Sequence, residues 1–302
     1  VAGFVRQAMK LEIVAGTGDR RGKMAGHLMG RSKGMTFHRT YVDGRWGQVH
    51  VRIAPGPRDA PPLLMLHQTP KSGWIWEPLF ARLAQGRTLI VPDTPGYGAS
   101  DGPGEPVSIE DYAAEMLAVM DRLATQGVIA GGAFDAIGYH TGSLIATATA
   151  NMAPYRVRRA VLVSLGALTA EEKAGWLAKM PQEPPLHADG SHLIAMWRMI
   201  DGFTDPRASL RWKQDSLTEN LRSGAGFYHG YRAVAAHDFF AGLERLAQPT
   251  LILNPQDDLW RETHRAAAYV RQGRMVELPG AGHGLFAIET DKICDLVEAH
   301  LA

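Results

Sequence analysis

The sequence predicts an α/β fold: a mostly parallel sheet of eight strands flanked by helices, with a helical segment inserted before the last two strands. Three observations predict it. Short apolar runs of the kind buried on both faces alternate with longer helical patterns. Glycine- and proline-rich punctuation separates them. One stretch, residues 167–235, breaks the alternation: it has no strand-like run and is rich in Trp, Met and Arg. A chain of 302 residues that is 45% hydrophobic is long and apolar enough to bury such a core.

The elements follow in order from Met35. "FHRTYVDG" and "GQVHVRIAP" read as a hairpin turning between Gly44 and Gly47. "PLLMLHQ" is a short buried strand, "SGWIWEPLFARLAQG" a helix ending at Gly86, and "RTLIVPD" a strand. The loop "TPGYGASDGPG" leads to the helix "SIEDYAAEMLAVMDRLA", whose Ser108 and Asp111 fit a capping box. "FDAIGY" is a strand, its following helix runs to Asn151, and Pro154 stops it. "VRRAVLVSLG", "PTLILNP" and "RMVELPG" are the remaining strands, with the helix "RETHRAAAYVRQ" between the last two. Residues 35–166 and 236–302 therefore read as the core and 167–235 as a helical cap. Residues 1–34, with seven Lys or Arg against two acids and many glycines, read as an N-terminal extension outside the fold.

Four motifs carry chemistry. "GYHTG", residues 138–142, is a sharp turn between strand and helix, with small residues at its ends and His140 raised at its apex. "HQTP", residues 67–70, follows a buried strand; "NPQDDLW", residues 254–260, ends another; "GAGHGLF", residues 280–286, follows the last. In order and kind these motifs resemble those of the α/β-hydrolase family, over residues 38–302, in a capped form with histidine where that family usually has serine. The resemblance implies a catalytic group of His140, His283 and Asp258, with Asp258 favoured over Asp257. It implies that the backbone N–H groups of Thr69 and Thr141 form an oxyanion hole. Gln68 stands where the family has glycine and brings a side-chain amide toward the pocket.

An imidazole with an ordinary pKa of ~6.5 needs no activating base, so His140 could attack a carbonyl directly. It could instead act as a general base or hydrogen-bond donor while His283 and Asp258 activate water, and its greater reach favours this. Two histidines and a carboxylate could also hold zinc or iron, but pairing of Asp258 with His283 leaves too few free ligands, so no metal and no cofactor are expected. Ser143 lies almost a helical turn beyond the apex and is not a shifted nucleophile.

The expected reaction is hydrolysis of a small, hydrophobic or aromatic ester, lactone, thioester or C–C-bonded carbonyl compound. A lyase or isomerase using both histidines for proton transfer, and an inactive ligand binder on the same frame, are the alternatives. His67, Gln68, Trp74, Tyr139, Trp197, Trp260 and Phe286 are the expected substrate contacts, chosen for their nearness to the motifs. A formal net charge of +1 gives no electrostatic reason to expect nucleic acid or an anionic membrane. No run approaches the roughly 18 apolar residues of a membrane span, so a small molecule is the expected partner, the cytoplasm the expected location, and a homodimer is allowed. The single Cys294 lies in an apolar helix pattern and reads as core.

Overall fold

The computed structural model describes residues 29–32 and 35–302. One sheet contains β1 (Met29–Ser32), β2 (Met35–Gly44), β3 (Gly47–Ala54), β4 (Leu63–Leu66), β5 (Leu89–Pro92), β6 (Phe134–Tyr139), β7 (Val157–Val163), β8 (Thr250–Pro255) and β9 (Gly273–Leu278). Their spatial order is β1-β2-β3-β5-β4-β6-β7-β8-β9. The first three pairings are antiparallel, and from β5 across to β9 every pairing is parallel. The eight expected strands are β2 to β9. The short β1 adds an outer edge from within the segment read as an extension; the rest of that segment lies outside the described residues.

Local chemistry explains the central strands. All residues of β4, β5, β6 and β8 are buried, as strands covered on both faces must be. One face packs under α2 (Ile109–Thr125) and α3 (Thr141–Met152), the other under α1 (Phe80–Leu83), α10 (Leu285–Ile288) and α11 (Thr290–Leu301). Cys294 is in the second layer, fully buried. The capping box of α2 forms in both directions: Asp111 N–H donates to Ser108 Oγ, and Ser108 N–H to the Asp111 carboxylate.

The expected single helix over "SGWIWEPLFARLAQG" is a correction. A 3-10 segment, Gly73–Leu79, contains Pro78 and leads into the one-turn α1. Proline has no N–H for an i→i−4 bond, so a continuous α-helix through it is disfavoured. Asp93, at the end of β5, is buried and accepts from Arg52 (2.5 Å), His50 (2.8 Å) and the Gly73 and Ala99 N–H groups. It thereby anchors the "PGYGASD" loop, in which no chemistry was expected.

Between β7 and β8 the chain forms α4 (Ala170–Leu177), α5 (Ser191–Phe203), α6 (Leu210–Arg222), a 3-10 turn (Gly224–Tyr228), α7 (His229–Ala236) and α8 (Phe239–Arg245). Four of these, α4, α5, α6 and α7, border a cavity that also reaches the residues following β4, β6, β7 and β8, where a parallel α/β sheet presents its functional loops. After β8, α9 (Trp260–Ala267) completes the helices. No helix among the described residues is long and apolar enough to cross a membrane.

Candidate active site

The turn from β6 into α3 is as tight as its glycines suggest. A Cβ on Gly138 would lie 2.1 Å from the Gly142 carbonyl oxygen, and one on Gly142 would lie 2.0 Å from the Leu66 carbonyl oxygen. The apex residue, His140, is held at φ 50° and ψ −118°, a conformation that strains a residue with a side chain. Ser143, one turn on, donates to the Gly138 and Val163 carbonyls at 2.9 Å each, so its hydroxyl ties α3 to the sheet and is committed there.

From this apex the His140 ring reaches Asp257, the first of the two adjacent aspartates, with Nε2 3.0 Å from Oδ2. The Asp257 side chain is buried. Its Oδ2 also accepts from Ser164 Oγ and, at 3.5 Å, from Tyr139 OH, while Oδ1 accepts from the Leu259 N–H at 3.0 Å. Ser164, just past β7, has a φ of 55°, the other described non-glycine residue with positive φ. Asp258 faces the opposite way and meets His283, Oδ1 to Nε2, at 2.7 Å. The two rings stand with centroids 5.2 Å apart. The site thus holds two imidazole–carboxylate pairs, side by side.

Their electrostatics differ from those of isolated groups. Burial alone would depress the His140 pKa, but the carboxylates of Asp257 and Asp258 overcome it and raise the ring above its ordinary value of 6.5. Burial works against both carboxylates, yet the rings hold each below its ordinary value, Asp257 mainly through His140, and Asp258 well below it, mainly through its hydrogen bond with His283. Tyr139 is buried and pushed far above its usual range, so it remains a phenol that donates. Its one hydroxyl hydrogen is shared between Asp257 Oδ2 and His283 Nδ1, 3.4 Å away, and Gln68 Nε2 lies at the same distance from that nitrogen. Donors on Nδ1 and a carboxylate on Nε2 favour the tautomer with its proton on Nε2 and its lone pair on Nδ1.

The loop after β4 is secured from both sides. His67 Nδ1–H donates to the Gln68 carbonyl and Nε2 accepts from the Thr94 N–H, each at 2.8 Å. Burial lowers the His67 pKa, in keeping with this neutral double role. Tyr231 OH, from α7, donates to the Thr69 carbonyl at 3.2 Å. Thr141 is the first residue of α3, so its N–H has no intrahelical acceptor. Thr69 and Thr141 both line the cavity beside His140. The insertion also clamps His283, because the Asp205 N–H donates to the His283 carbonyl at 2.9 Å and Asp205 Oδ2 accepts from the Gly282 N–H at 3.2 Å.

The cavity has a volume of about 570 Å³ and is bordered by His140, Asp258, His283, Gln68, Thr69 and Thr141. Of the seven expected substrate contacts Gln68 lines it and the other six do not. His67 is consumed in holding its loop. Tyr139 and Phe286 are buried beneath the site, packed on one another with ring centroids 5.1 Å apart. Trp74 packs on Trp212 and Trp260 on His264, and Trp197 borders neither this cavity nor the larger one beside it. Nearness in sequence to a motif does not determine where a side chain points. Nothing in the sequence singles out Ser164 or Lys71, and Asp257 stands second to Asp258 in the Asp-Asp doublet although each engages a ring.

His140, Asp257, Asp258 and His283 each offer one donor atom, all within 4.8 Å of one another, so these are the residues that could hold a divalent ion. Each carboxylate is already engaged by its own ring, and Asp257 by three further donors, so an ion between the rings would compete with these hydrogen bonds.

Set against known proteins, residues 61–290 match the alpha/beta hydrolase fold family. The chain belongs to that family. Among its relatives, this α/β-hydrolase-fold protein is 24% identical over 258 residues to a bifunctional esterase/perhydrolase of Acinetobacter calcoaceticus, an alignment covering 79% of this chain and 90% of the relative. It is also 24% identical to a non-heme haloperoxidase of Rhodococcus erythropolis, over 77% of this chain and 89% of the other. The enol-lactonase of Burkholderia xenovorans LB400 superimposes with a TM-score of 0.70 at 20% identity, covering 87% of this chain and 99% of its own. The last similarity concerns the fold alone.

Proposed function

We propose that the protein hydrolyses a small apolar or aromatic ester, lactone, thioester or C–C-bonded carbonyl compound, with His283 and Asp258 activating water and His140 and Asp257 supplying a protonated partner. One observation carries this reading: two His–Asp pairs face each other in a cavity whose strand–helix apex bears no hydroxyl. The names of the relatives, esterase among them, support the reaction class.

A water that displaces the Gln68 and Tyr139 donors, both at a long 3.4 Å, from His283 Nδ1 gives that nitrogen a proton as its oxygen bonds to the substrate carbonyl carbon. The carbonyl π electrons move to oxygen, where the Thr69 and Thr141 N–H groups receive the charge. Collapse of the tetrahedral intermediate re-forms the carbonyl and breaks the bond to the leaving alkoxide, which takes the proton from His283. Asp258 steadies the transient imidazolium. His140, with Nε2–H held by Asp257, serves in its doubly protonated form as a donor to the substrate through Nδ1–H. The carboxylates favour that form, which has no lone pair for direct attack. Residues 167–235 act as a cap over a core of 35–166 and 236–302, keeping water at the site scarce. Two facing rings able to hold protons favour, as a second reading, a lyase or isomerase acting by proton transfer.

A panel of esters and lactones, followed by single turnover in 18O-labelled water, tests the proposal. Label should appear in the acid product, with no mass adduct on His140, and both His283→Ala and His140→Ala should lose about 10²-fold or more in kcat. An acyl adduct on His140 would replace the water mechanism with nucleophilic attack. Full activity in His283→Ala would sink it altogether.

A further inference from the structure

Lys71 has no part in the steps above, yet it borders the same cavity with only 6% of its surface exposed. Its ammonium donates to the Ser216 carbonyl at 2.9 Å, to Ser216 Oγ at 2.5 Å and to Asn220 Oδ1 at 2.5 Å, all neutral acceptors on α6. Among the described residues no carboxylate lies within the 4.0 Å of an ion pair. The acid that acts on it is Glu219, which instead sits 3.7 Å from Arg222. A buried cation without a counter-ion in contact is costly, and burial, only partly offset by Glu219, pushes Lys71 down to about 7.

The surroundings of this cation are suited to receiving an anion. Ser216 Oγ and Asn220 Oδ1 accept from Lys71, which leaves the Ser216 hydroxyl hydrogen and the Asn220 NH2 as donors. Neither has an acceptor among the described residues. Asn220 also borders a second, more apolar chamber of about 910 Å³, lined by Met180, Met196, Leu221, Phe227 and Tyr228 and sharing Tyr231 with the first. Cation, hydroxyl and amide therefore meet at the seam between a reactive chamber and an apolar one.

We propose that Lys71, Ser216 and Asn220 form a carboxylate subsite, and that the molecule hydrolysed is an apolar carboxylic acid that also carries the scissile bond. The counter-ion that Lys71 lacks is the substrate's own. The carboxylate accepts from the Asn220 NH2 and the Ser216 hydroxyl while Lys71 supplies the charge, and the apolar body fills the second chamber. The scissile bond rests on the hydrolase reading above; the subsite itself does not.

Octanoate and octanamide, equal in chain length and different in charge, are the probes, with dissociation constants read from Trp fluorescence of the full chain. Trp176 and Trp212, which line the cavity, provide the signal. Hydrogen bonds to a charged group predict that the wild type binds octanoate at least about tenfold tighter than octanamide. In Lys71→Met the ratio should fall to about one. Equal affinities in the wild type, no saturable binding of either probe, or a preference that survives Lys71→Met would each overturn the proposal. The wild-type ratio decides even if the variant fails to fold. Selective octanoate binding without any ester hydrolysis would sink the hydrolase reading alone, whereas hydrolysis of neutral esters without carboxylate preference would sink only the subsite.

Discussion

Replacing Asp257 by Asn changes one atom and reverses the direction of the hydrogen bonds at the site. The carboxylate accepts at Oδ2 from Ser164 Oγ, from His140 Nε2 at 3.0 Å and from Tyr139 OH at 3.5 Å, and at Oδ1 from the Leu259 N–H at 3.0 Å. If the amide oxygen keeps Leu259, the NH2 group faces His140, whose Nε2 must then give up its proton and accept. If the amide is turned the other way, its NH2 confronts the buried Leu259 N–H. Either arrangement leaves one buried donor unsatisfied, at about 1–3 kcal/mol of stability. Its kinetic effect is larger, because His140 becomes neutral: with Nε2 accepting, the ring keeps its hydrogen on Nδ1 but loses the positive charge that meets developing charge, and a loss of about 10²–10³ in kcat with little change in KM is expected. Initial rates and urea unfolding of the two proteins measure both quantities. A kcat within about threefold of wild type would refute the reasoning.

The same pair sets a pH window for stability. His140 is raised above 6.5 in the folded protein, so its contribution is complete below 6.5 and is lost as pH rises through the higher folded value. Asp257 is lowered below 3.8, so its contribution is complete above 3.8 and is lost as pH falls through the lower folded value. These are two views of one interaction and are not additive. The stability difference between wild type and Asp257→Asn should therefore be greatest between 3.8 and 6.5 and should shrink on the alkaline side. A difference that grows with rising pH would contradict the assigned charge states.

Two further outcomes test the frame and the chemistry. Gly142→Ala would put a Cβ 2.0 Å from the Leu66 carbonyl oxygen and 2.9 Å from that of His67, both backbone atoms, so overpacking should cost about 3 kcal/mol or more, read as a lowered urea midpoint or loss of soluble protein. Exhaustive chelation should leave hydrolysis unchanged and elemental assay should find no stoichiometric metal. Activity lost to a chelator and restored by zinc or iron would replace proton transfer with metal-assisted hydrolysis at the same four side chains.

Much of the fold was legible because the relevant physics is local. Alternation of buried runs with helical patterns predicted β2 to β9, the Ser108–Asp111 pair predicted the start of α2, and Gly138 and Gly142 marked a turn that no larger residue could make. The helix expected across Pro78 is broken by an equally local rule, since proline lacks the N–H that an α-helix needs. Sequence order placed His140, Asp258 and His283 in plausible positions, and the tertiary structure brings all three to one cavity.

Side-chain direction is another matter, for it depends on what surrounds a residue after the chain has closed. Asp257 and Asp258 are neighbours in sequence, yet one turns inward to His140 and Ser164 and the other toward His283. Nothing in the spacing of Lys71, Ser216 and Asn220 announces their meeting, since more than a hundred residues separate the lysine from the other two. By itself the sequence determined the sheet, the turn and the histidine at its apex, because backbone sterics and hydrophobic period act over a few residues. Only the tertiary structure decided which carboxylate serves which ring and which aromatic side chains face the cavity, because burial and charge act across elements that the sequence keeps far apart.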